Sequence, residues 1–474
     1  MVDFVLDNLC GPAGEGFQSR LELFVLVLHL DGLPAARFAR AGQRQTALLG
    51  LIAAGLLDDL RVEHHHIRSL VIERDDALVH ADHVRRHADT AVLVRFERFQ
   101  QVGCSLDIVR LTAMLMVIGV HCIDPFYISP TLGTLPEYKF WASVYGSLFR
   151  PSVPLFAMMT GLLLLPVGQQ PLGVFYKKRI FRVLFPFLIW SVLYNLFPWF
   201  TGVVGLPKSI IGDFFCYVQG SESQSFSDSL KDIAMIPFNF SFKENHMWYI
   251  YLLIGLYLYM PFFSAWIDKA DRKMKQTYLW IWVISLFLPY MGEYISHYLY
   301  GTATWNEFGT LYYFAGFNGY LLLGHYVKQG NSWSVGKTLL LSALLFAAGY
   351  SVTFTGFSAA AHNPAATESD MELFFTFCSP NVLCMTLAVF LALQKVVVST
   401  PALIRSLANI TKCGFGIYMV HYFLVGPAFL LIGNFNLPIP LQVPVMAILI
   451  FLCAWGFTAL MYRLLGRKAR WIMG

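Results

Sequence analysis

Long apolar stretches are the feature that most constrains this chain. A helix needs about 20 apolar residues to cross the hydrocarbon core of a bilayer, and runs of that kind recur from Ser105 to the end of the sequence. Because lipid offers the backbone no hydrogen-bond partners, such runs must be helical. The chain is 57% hydrophobic, against about 45–50% for a soluble domain. We therefore predict an all-α integral membrane protein with about ten transmembrane helices, at 106–124, 140–164, 181–201, 247–267, 277–292, 309–327, 337–355, 373–393, 412–433 and 441–463.

The loops between these stretches alternate in charge, which predicts the topology. Cytoplasmic loops carry an excess of Lys and Arg. The basic loops hold Lys177, Lys178, Arg179 and Arg182, then Lys269, Arg272, Lys273 and Lys275, then Lys328 and Lys337, then Lys395, Arg405 and Lys412, and finally Arg463, Arg467, Lys468 and Arg470. This alternation predicts a multi-pass protein of the cell inner (plasma) membrane with both ends of the membrane domain in the cytoplasm. The net charge of +5 therefore reports topology, and we expect no nucleic-acid partner.

Residues 1–103 differ in composition from the rest of the chain. They contain no Lys, Tyr or Trp, whereas the remainder, 104–474, is rich in all three. Their apolar runs are too short to span a membrane. We expect this segment either to be poorly folded or not to be genuine protein sequence, translated from an upstream start. Its histidines include His64, His65 and His66, but no carboxylate or Cys pattern completes a metal site, and we predict no metal.

Three ionisable residues lie inside the first two predicted spans. Arg110 and His121 are eleven residues apart, so they project from one face of a helix, about 16 Å apart along its axis. Arg150 lies deep in the second span, beside Pro151 and Pro154. Ionisable groups at such depths are costly and usually mark functional sites. Taken singly, Arg110 could be an interfacial anchor and His121 a hydrogen-bonded core histidine; together the three residues predict a polar cavity between the first two helices.

Further polar residues recur at the ends of later spans. His246 and Trp248 open the fourth span, and Tyr418 and His421 share one face of the ninth. Trp248 could equally belong to an interfacial aromatic belt, and His421 to the packed core. Arg179 and Arg182 are typical of a positive-inside anchor, or of a clamp for the phosphates of a nucleotide-like carrier, because guanidinium groups suit phosphate oxygens.

These elements, in this order, resemble the acyltransferase-3 family of bacterial membrane O-acyltransferases, and within it the enterobacterial common antigen O-acetyltransferase branch. The resemblance covers about Leu106 to Gly474, and Ala157 departs from it where a second Phe is commoner. It is carried by the Arg-x10-His pair Arg110 and His121, the stretch from Arg150 to Gly161, the basic run ahead of Pro186, His246-x-Trp248, and Gly416-Ile417-Tyr418-x-x-His421.

The resemblance implies transfer of an acyl group, usually acetyl from acetyl-CoA, to a hydroxyl of a sugar or other cell-envelope glycan precursor. Such a transfer needs a base, and a neutral imidazole accepts a proton readily near neutral pH, so we assign this role to His121. Arg110 or Arg150 would stabilise the oxyanion or orient the thioester. Arg179 and Arg182 would hold the CoA phosphates. We expect His246, Trp248, Tyr418 and His421 to bind substrate. The expected partners are membrane lipid and a sugar or glycan acceptor, either free or lipid-linked.

Two alternatives remain open at the level of sequence. CoA is cytoplasmic, whereas His121 lies well above the inner end of its span. Either the pantetheine arm reaches up through the cavity, or the acyl group passes through a relay. Thr112 and Cys122 are nearby nucleophiles that could carry a covalent acyl intermediate. A transporter or flippase for a lipid-linked or phosphorylated sugar would also carry charged residues at the midplane.

Overall fold

The computed structural model describes residues 105–128, 132–168, 170–208, 224–296, 298–328, 333–363 and 368–474, and the prediction for residues 1–103 lies outside this part. The described residues form helices and no β-strand. The helices are α1 (Ser105–Tyr127), α2 (Pro136–Leu148), α3 (Ser152–Leu164), α4 (Leu172–Val204), α5 (Phe226–Met235), α6 (Trp248–Lys269), α7 (Arg272–Ser285), α8 (Leu288–Tyr294), α9 (Asn318–Lys328), α10 (Val335–His362), α11 (Glu368–Leu373), α12 (Pro380–Leu393), α13 (Pro401–Val420), α14 (Val425–Gly433), α15 (Ile439–Leu465) and α16 (Arg470–Met473).

Seven helical segments of the described chain are long and apolar enough to cross a membrane. They are Ser105–Tyr127, Pro136–Leu164, Leu172–Val204, Phe242–Lys269, Val335–His362, Pro401–Gly433 and Ile439–Met473. The chain is therefore a helical protein with a multi-pass membrane architecture, as the sequence predicts.

The other three predicted spans contain shorter helices. The stretch 277–292 is divided between α7 and α8, 309–327 holds α9 after an irregular start, and 373–393 holds the 14-residue α12. Pro289 and Pro380 lie in the first turns of α8 and α12, where a helix does not need the N–H that proline lacks. The count of ten crossings stays a prediction.

Two of the 3-10 segments inside the long helical segments lie next to α4. The outer turn (Phe242–Met247) precedes α6, and the helix break (His421–Leu424) separates α13 from α14. Such interruptions leave backbone groups without their helical partners, which is tolerated at membrane depth only where protein or a wet cavity supplies others. Both interruptions carry a histidine, and both lie against α4.

Two glycines allow α3 and α9 to pack backbone to backbone. A Cβ on Gly161 would overlap the carbonyl group of Leu321, and one on Gly324 would overlap that of Met158. Small residues at helix contacts are the usual means of close approach in membranes. Gly161, which ends one of the stretches resembling the acyltransferase-3 family, therefore has a packing role.

Candidate active site

Three histidines from separate parts of the chain meet inside the bundle. His121 comes from α1, His246 from the outer turn, and His421 from the helix break. Their ring centroids are 5.4 Å apart for His121 and His421, 5.2 Å for His246 and His421, and 6.2 Å for His121 and His246. The ring of Tyr422 lies 4.9 Å from that of His121 and 4.4 Å from that of His246. We call His121, His246 and His421 the histidine cluster.

Tyrosine hydroxyls supply the partners that the interrupted backbone lacks. The hydroxyl of Tyr418 donates to the carbonyl of His246. The hydroxyl of Tyr194, on α4, donates to the carbonyl of Met419 at 2.8 Å and accepts the N–H of Phe423 at 3.2 Å. These bonds hold the outer turn and the helix break in place, so the histidines are fixed by a protein scaffold in a region where loose backbone would be costly.

The imidazole of His121 is paired with a carboxylate. Its Nδ1 lies 2.9 Å from Oδ2 of Asp124, and the two side chains are 15% and 24% exposed. The helix is interrupted by a turn at Ile123, and Asp124 is the first residue of the short helical segment Asp124–Ile128 that follows. An ionised carboxylate only accepts hydrogen bonds, so the proton of the neutral ring sits on Nδ1 and the basic lone pair on Nε2.

The other two imidazoles carry unused ring nitrogens. Nδ1 of His421 lies 2.6 Å from the carbonyl of Tyr418, which also only accepts, so its Nε2 carries the lone pair of the neutral ring. That Nε2 and both ring nitrogens of His246 are buried with no hydrogen-bond partner among the described residues. Leaving such groups unpaired costs about 1–3 kcal/mol each. These nitrogens are therefore places where a bound molecule or a water can form a hydrogen bond.

A buried polar network fixes the outer turn that carries His246. Glu244, fully buried, accepts from the side chain of Asn195 at 3.1 Å and forms a capping box with Ser241. The hydroxyl of Ser241 donates to the side-chain oxygen of Asn195 at 2.8 Å. Asn195 lies on α4, so this network ties the turn to the helix that also supplies Tyr194.

Three arginines converge at a different level of the bundle. Arg110, Arg179 and Arg182 all interact electrostatically with Tyr257 of α6, and Arg110 and Arg182 also with each other. Asp107 accepts from Arg110 at 3.3 Å and from the hydroxyl of Thr411 on α13 at 2.9 Å. We call Arg110, Arg179 and Arg182 the arginine cluster. It lies about three helical turns along α1 from His121, since Arg110 and His121 are eleven residues apart.

Arg150 and Trp248 are placed apart from both clusters. The guanidinium carbon of Arg150 lies 3.9 Å from the ring centroid of Phe375, and its Nε donates to the carbonyl of Gly146 at 3.2 Å. The backbone N–H of Arg150 donates to the carbonyl of Ser147 instead, so the side chain satisfies the carbonyl of Gly146 at the junction of α2 and α3. Trp248 stacks on Phe377 at 5.5 Å. The structure therefore does not bring Arg110, His121 and Arg150 together in one place as the sequence predicts. Arg110 joins the arginine cluster, and Arg150 lies against aromatic rings.

Comparison with known families supplies the class. A family model described as an acyltransferase domain, the acyltransferase-3 model, matches residues 105–459. The chain belongs to this family. No curated protein and no solved structure matches it.

Several residues of the candidate site were not predicted from the sequence. Asp124 follows His121 at i+3, a spacing that places both on one helix face and could have signalled the pair. Glu244 stands two residues before His246, and Ser241 with Glu244 has capping-box spacing. Asn195 has no such signal, because its partners lie 46 and 49 residues away.

Within the described ranges, no group of three His, Cys, Asp or Glu side chains is arranged to hold a metal ion.

Proposed function

We propose that this acyltransferase is a multi-pass membrane O-acetyltransferase that moves the acetyl group of acetyl-CoA to a hydroxyl of a cell-envelope sugar or glycan precursor, similar to the enterobacterial common antigen branch. The observation that carries the proposal is the histidine cluster, in which a carboxylate-paired imidazole faces two others with unused nitrogens. Acyl transfer to an alcohol needs a base and a donor for the oxyanion, and this cluster offers both.

In the proposed reaction, Nε2 of His121 removes the proton of the acceptor hydroxyl while the hydroxyl oxygen attacks the thioester carbonyl. The new C–O bond forms, the tetrahedral oxyanion collapses, the C–S bond breaks, and the imidazolium returns its proton to the CoA thiolate. His246 is our candidate for the oxyanion donor, because a neutral imidazole carries one N–H and neither of its nitrogens is partnered among the described residues. Hydrogen-bond donors preorganised at a developing oxyanion lower the barrier most effectively in a water-poor site.

The arginine cluster is the proposed binding site for the phosphates of CoA. Guanidinium groups match phosphate oxygens in shape and charge. We accordingly reassign Arg110 from the reacting centre to donor binding. The pantetheine arm would then run along α1 for about 16 Å, from Arg110 to His121. This arrangement favours direct reach of the thioester over a covalent relay.

The same cluster supports a topology with both chain ends on one side. Arg182 interacts with Arg110 near the start of α1, and it also interacts with Tyr462 near the end of α15. The first and last long helices thus have those ends at one level of the bundle, as an even number of crossings requires. Together with the basic loops, this supports an even number of crossings with cytoplasmic ends, and we propose the predicted ten crossings in the inner membrane.

The acceptor is proposed to approach from the outer half of the membrane. An apolar groove of about 350 Å³ is lined by Leu193, Phe197, Phe423, Leu424 and Pro427. Phe423 stacks on Tyr194 at 3.8 Å, and Tyr194 lies 5.1 Å from the ring of His246. A hydrocarbon chain in this groove would place an attached sugar within reach of the histidine cluster, which favours a lipid-linked acceptor.

The test is acyl transfer by the purified full chain. Labelled acetyl-CoA is incubated with the protein in detergent and an extract of envelope glycan precursors, and the labelled product is identified. We expect a labelled ester from the wild type, and from His121→Ala a residual rate about 10²–10⁴-fold lower, because the base is removed. A transporter or flippase would leave acetyl-CoA unconsumed in both samples, and that result would overturn the proposal.

A further inference from the structure

The contact between His121 and Asp124 extends the proposed reaction to a residue that the sequence pattern did not single out. The two groups are 2.9 Å apart and both largely shielded, so the bond is poorly accessible to competing water. The imidazoles of His246 and His421 and the ring of Tyr422 lie near His121, whereas Cys122, Tyr127 and Arg150 lie within electrostatic range of Asp124.

The contact decides which nitrogen of His121 is basic. A free imidazole exchanges its proton between Nδ1 and Nε2 and rotates about its side-chain bonds. An acceptor fixed at Nδ1 holds the proton there, orients the ring and leaves Nε2 as the lone pair. The second role is electrostatic, since a carboxylate stabilises the imidazolium that forms when His121 takes the proton.

We propose that Asp124 is the positioning residue of the acyltransferase base, holding His121 with its lone pair on Nε2. This inference rests on the proposed function for its catalytic consequence, but its structural content concerns the tautomer of His121 alone. It can therefore be tested separately.

The first test measures that tautomer directly. The full chain is labelled with ¹⁵N-histidine and examined by NMR in detergent, with the signal of His121 assigned from its loss in His121→Asn. We expect the Nδ1-protonated tautomer in the wild type, and a mixture or the Nε2-protonated form in Asp124→Asn. Asp228→Asn, at an exposed carboxylate of α5, serves as the matched control and should leave the signal unchanged. An unchanged tautomer in Asp124→Asn would overturn the inference whether or not the protein transfers acetyl groups.

The second test measures the coupling between the two residues. For Asp124→Asn we expect kcat to fall about 100-fold or more, within the usual range for acid–base catalysis, with the KM for acetyl-CoA unchanged. Asp124→Glu should recover part of the loss. In a His121→Ala background, Asp124→Asn should cause no further loss, because its effect acts through the imidazole. Independent, multiplicative losses would contradict a positioning role, whereas an inactive wild type with the expected tautomers would count against the proposed function only.

Discussion

At the residue scale, the three imidazoles differ in what their ring nitrogens contact. His121 meets a carboxylate, His421 meets a backbone carbonyl, and neither nitrogen of His246 has a partner among the described residues. Leaving a buried group without a partner costs about 1–3 kcal/mol unless a bound molecule or a water supplies one. His246 is thus the ring best placed to contact a reacting molecule.

We therefore expect substitution of His246 to affect chemistry more than donor binding. His246→Phe should lower kcat by about 10²–10³-fold, the usual loss for an oxyanion donor, and leave the KM for acetyl-CoA within error. His246→Gln keeps an N–H donor and should retain more activity than His246→Phe. The measurement is steady-state acetyl transfer with varied acetyl-CoA.

Cys122→Ala is the control for that experiment. Cys122 is a buried free thiol next to His121 in the chain, and nothing in the geometry gives it a role in direct transfer. Wild-type kcat is expected. A His246→Phe variant as active as Cys122→Ala would rule out the oxyanion role, and an inactive Cys122→Ala would revive a covalent intermediate.

At the element scale, two of the three histidines of the cluster lie where helical segments are interrupted beside α4. The interruptions are stabilised by Tyr194 and Tyr418 through hydrogen bonds to backbone groups. Close packing elsewhere, as between α3 and α9, keeps the surrounding helices at fixed separations.

Gly161 tests the role of that close packing. Gly161→Ala would force apart the backbones of α3 and α9, and overpacking of this kind costs about 1–3 kcal/mol. We expect the temperature at which the purified protein loses its monodisperse form in detergent to fall by several degrees. Gly255→Ala on α6 is the matched control, since a Cβ there would meet nothing within 4 Å. Equal thermal stability of the two variants would contradict the packing role.

At the scale of the whole molecule, the arginine cluster and the histidine cluster occupy two levels of one bundle. The proposed donor spans both, with its phosphates at one level and its thioester at the other. Phosphate binding and chemistry should therefore be separable by mutation, because about three helical turns of α1 separate Arg110 from His121.

Arg179→Gln and Arg182→Gln should raise the KM for acetyl-CoA by about tenfold each and leave kcat nearly unchanged, because charge-assisted bonds to phosphate contribute about 1.5–3 kcal/mol. The measurement compares acetyl-CoA with its 3′-dephospho analogue. If either arginine binds that phosphate, its substitution should matter less for the analogue. Lys231→Gln, at an exposed pair on α5, is the control and should leave both donors unaffected. A fall in kcat at unchanged KM would contradict the donor-binding role.

The sequence by itself determined the class of this protein. The length of the apolar stretches, with the backbone's need for internal hydrogen bonds, dictates membrane helices. The ordered motifs from Arg110 to His421 resemble the family whose model matches residues 105–459. It also singled out His121, His246, Tyr418 and His421, which the structure brings together. Their periodicity shows which helix face each residue occupies, and depth in a span shows that a polar group there is unusual.

Only the tertiary structure decided which of these residues meet. Arg110 and His121 share a helix face but belong to different clusters, since three helical turns separate them and different neighbours face each. Arg150 lies against Phe375 rather than in the histidine cluster, and Asn195 reaches Glu244 across 49 residues. Sequence periodicity describes a residue's relation to its own helix, whereas a site depends on contacts between helices, which are set by packing and by the points at which helices are interrupted.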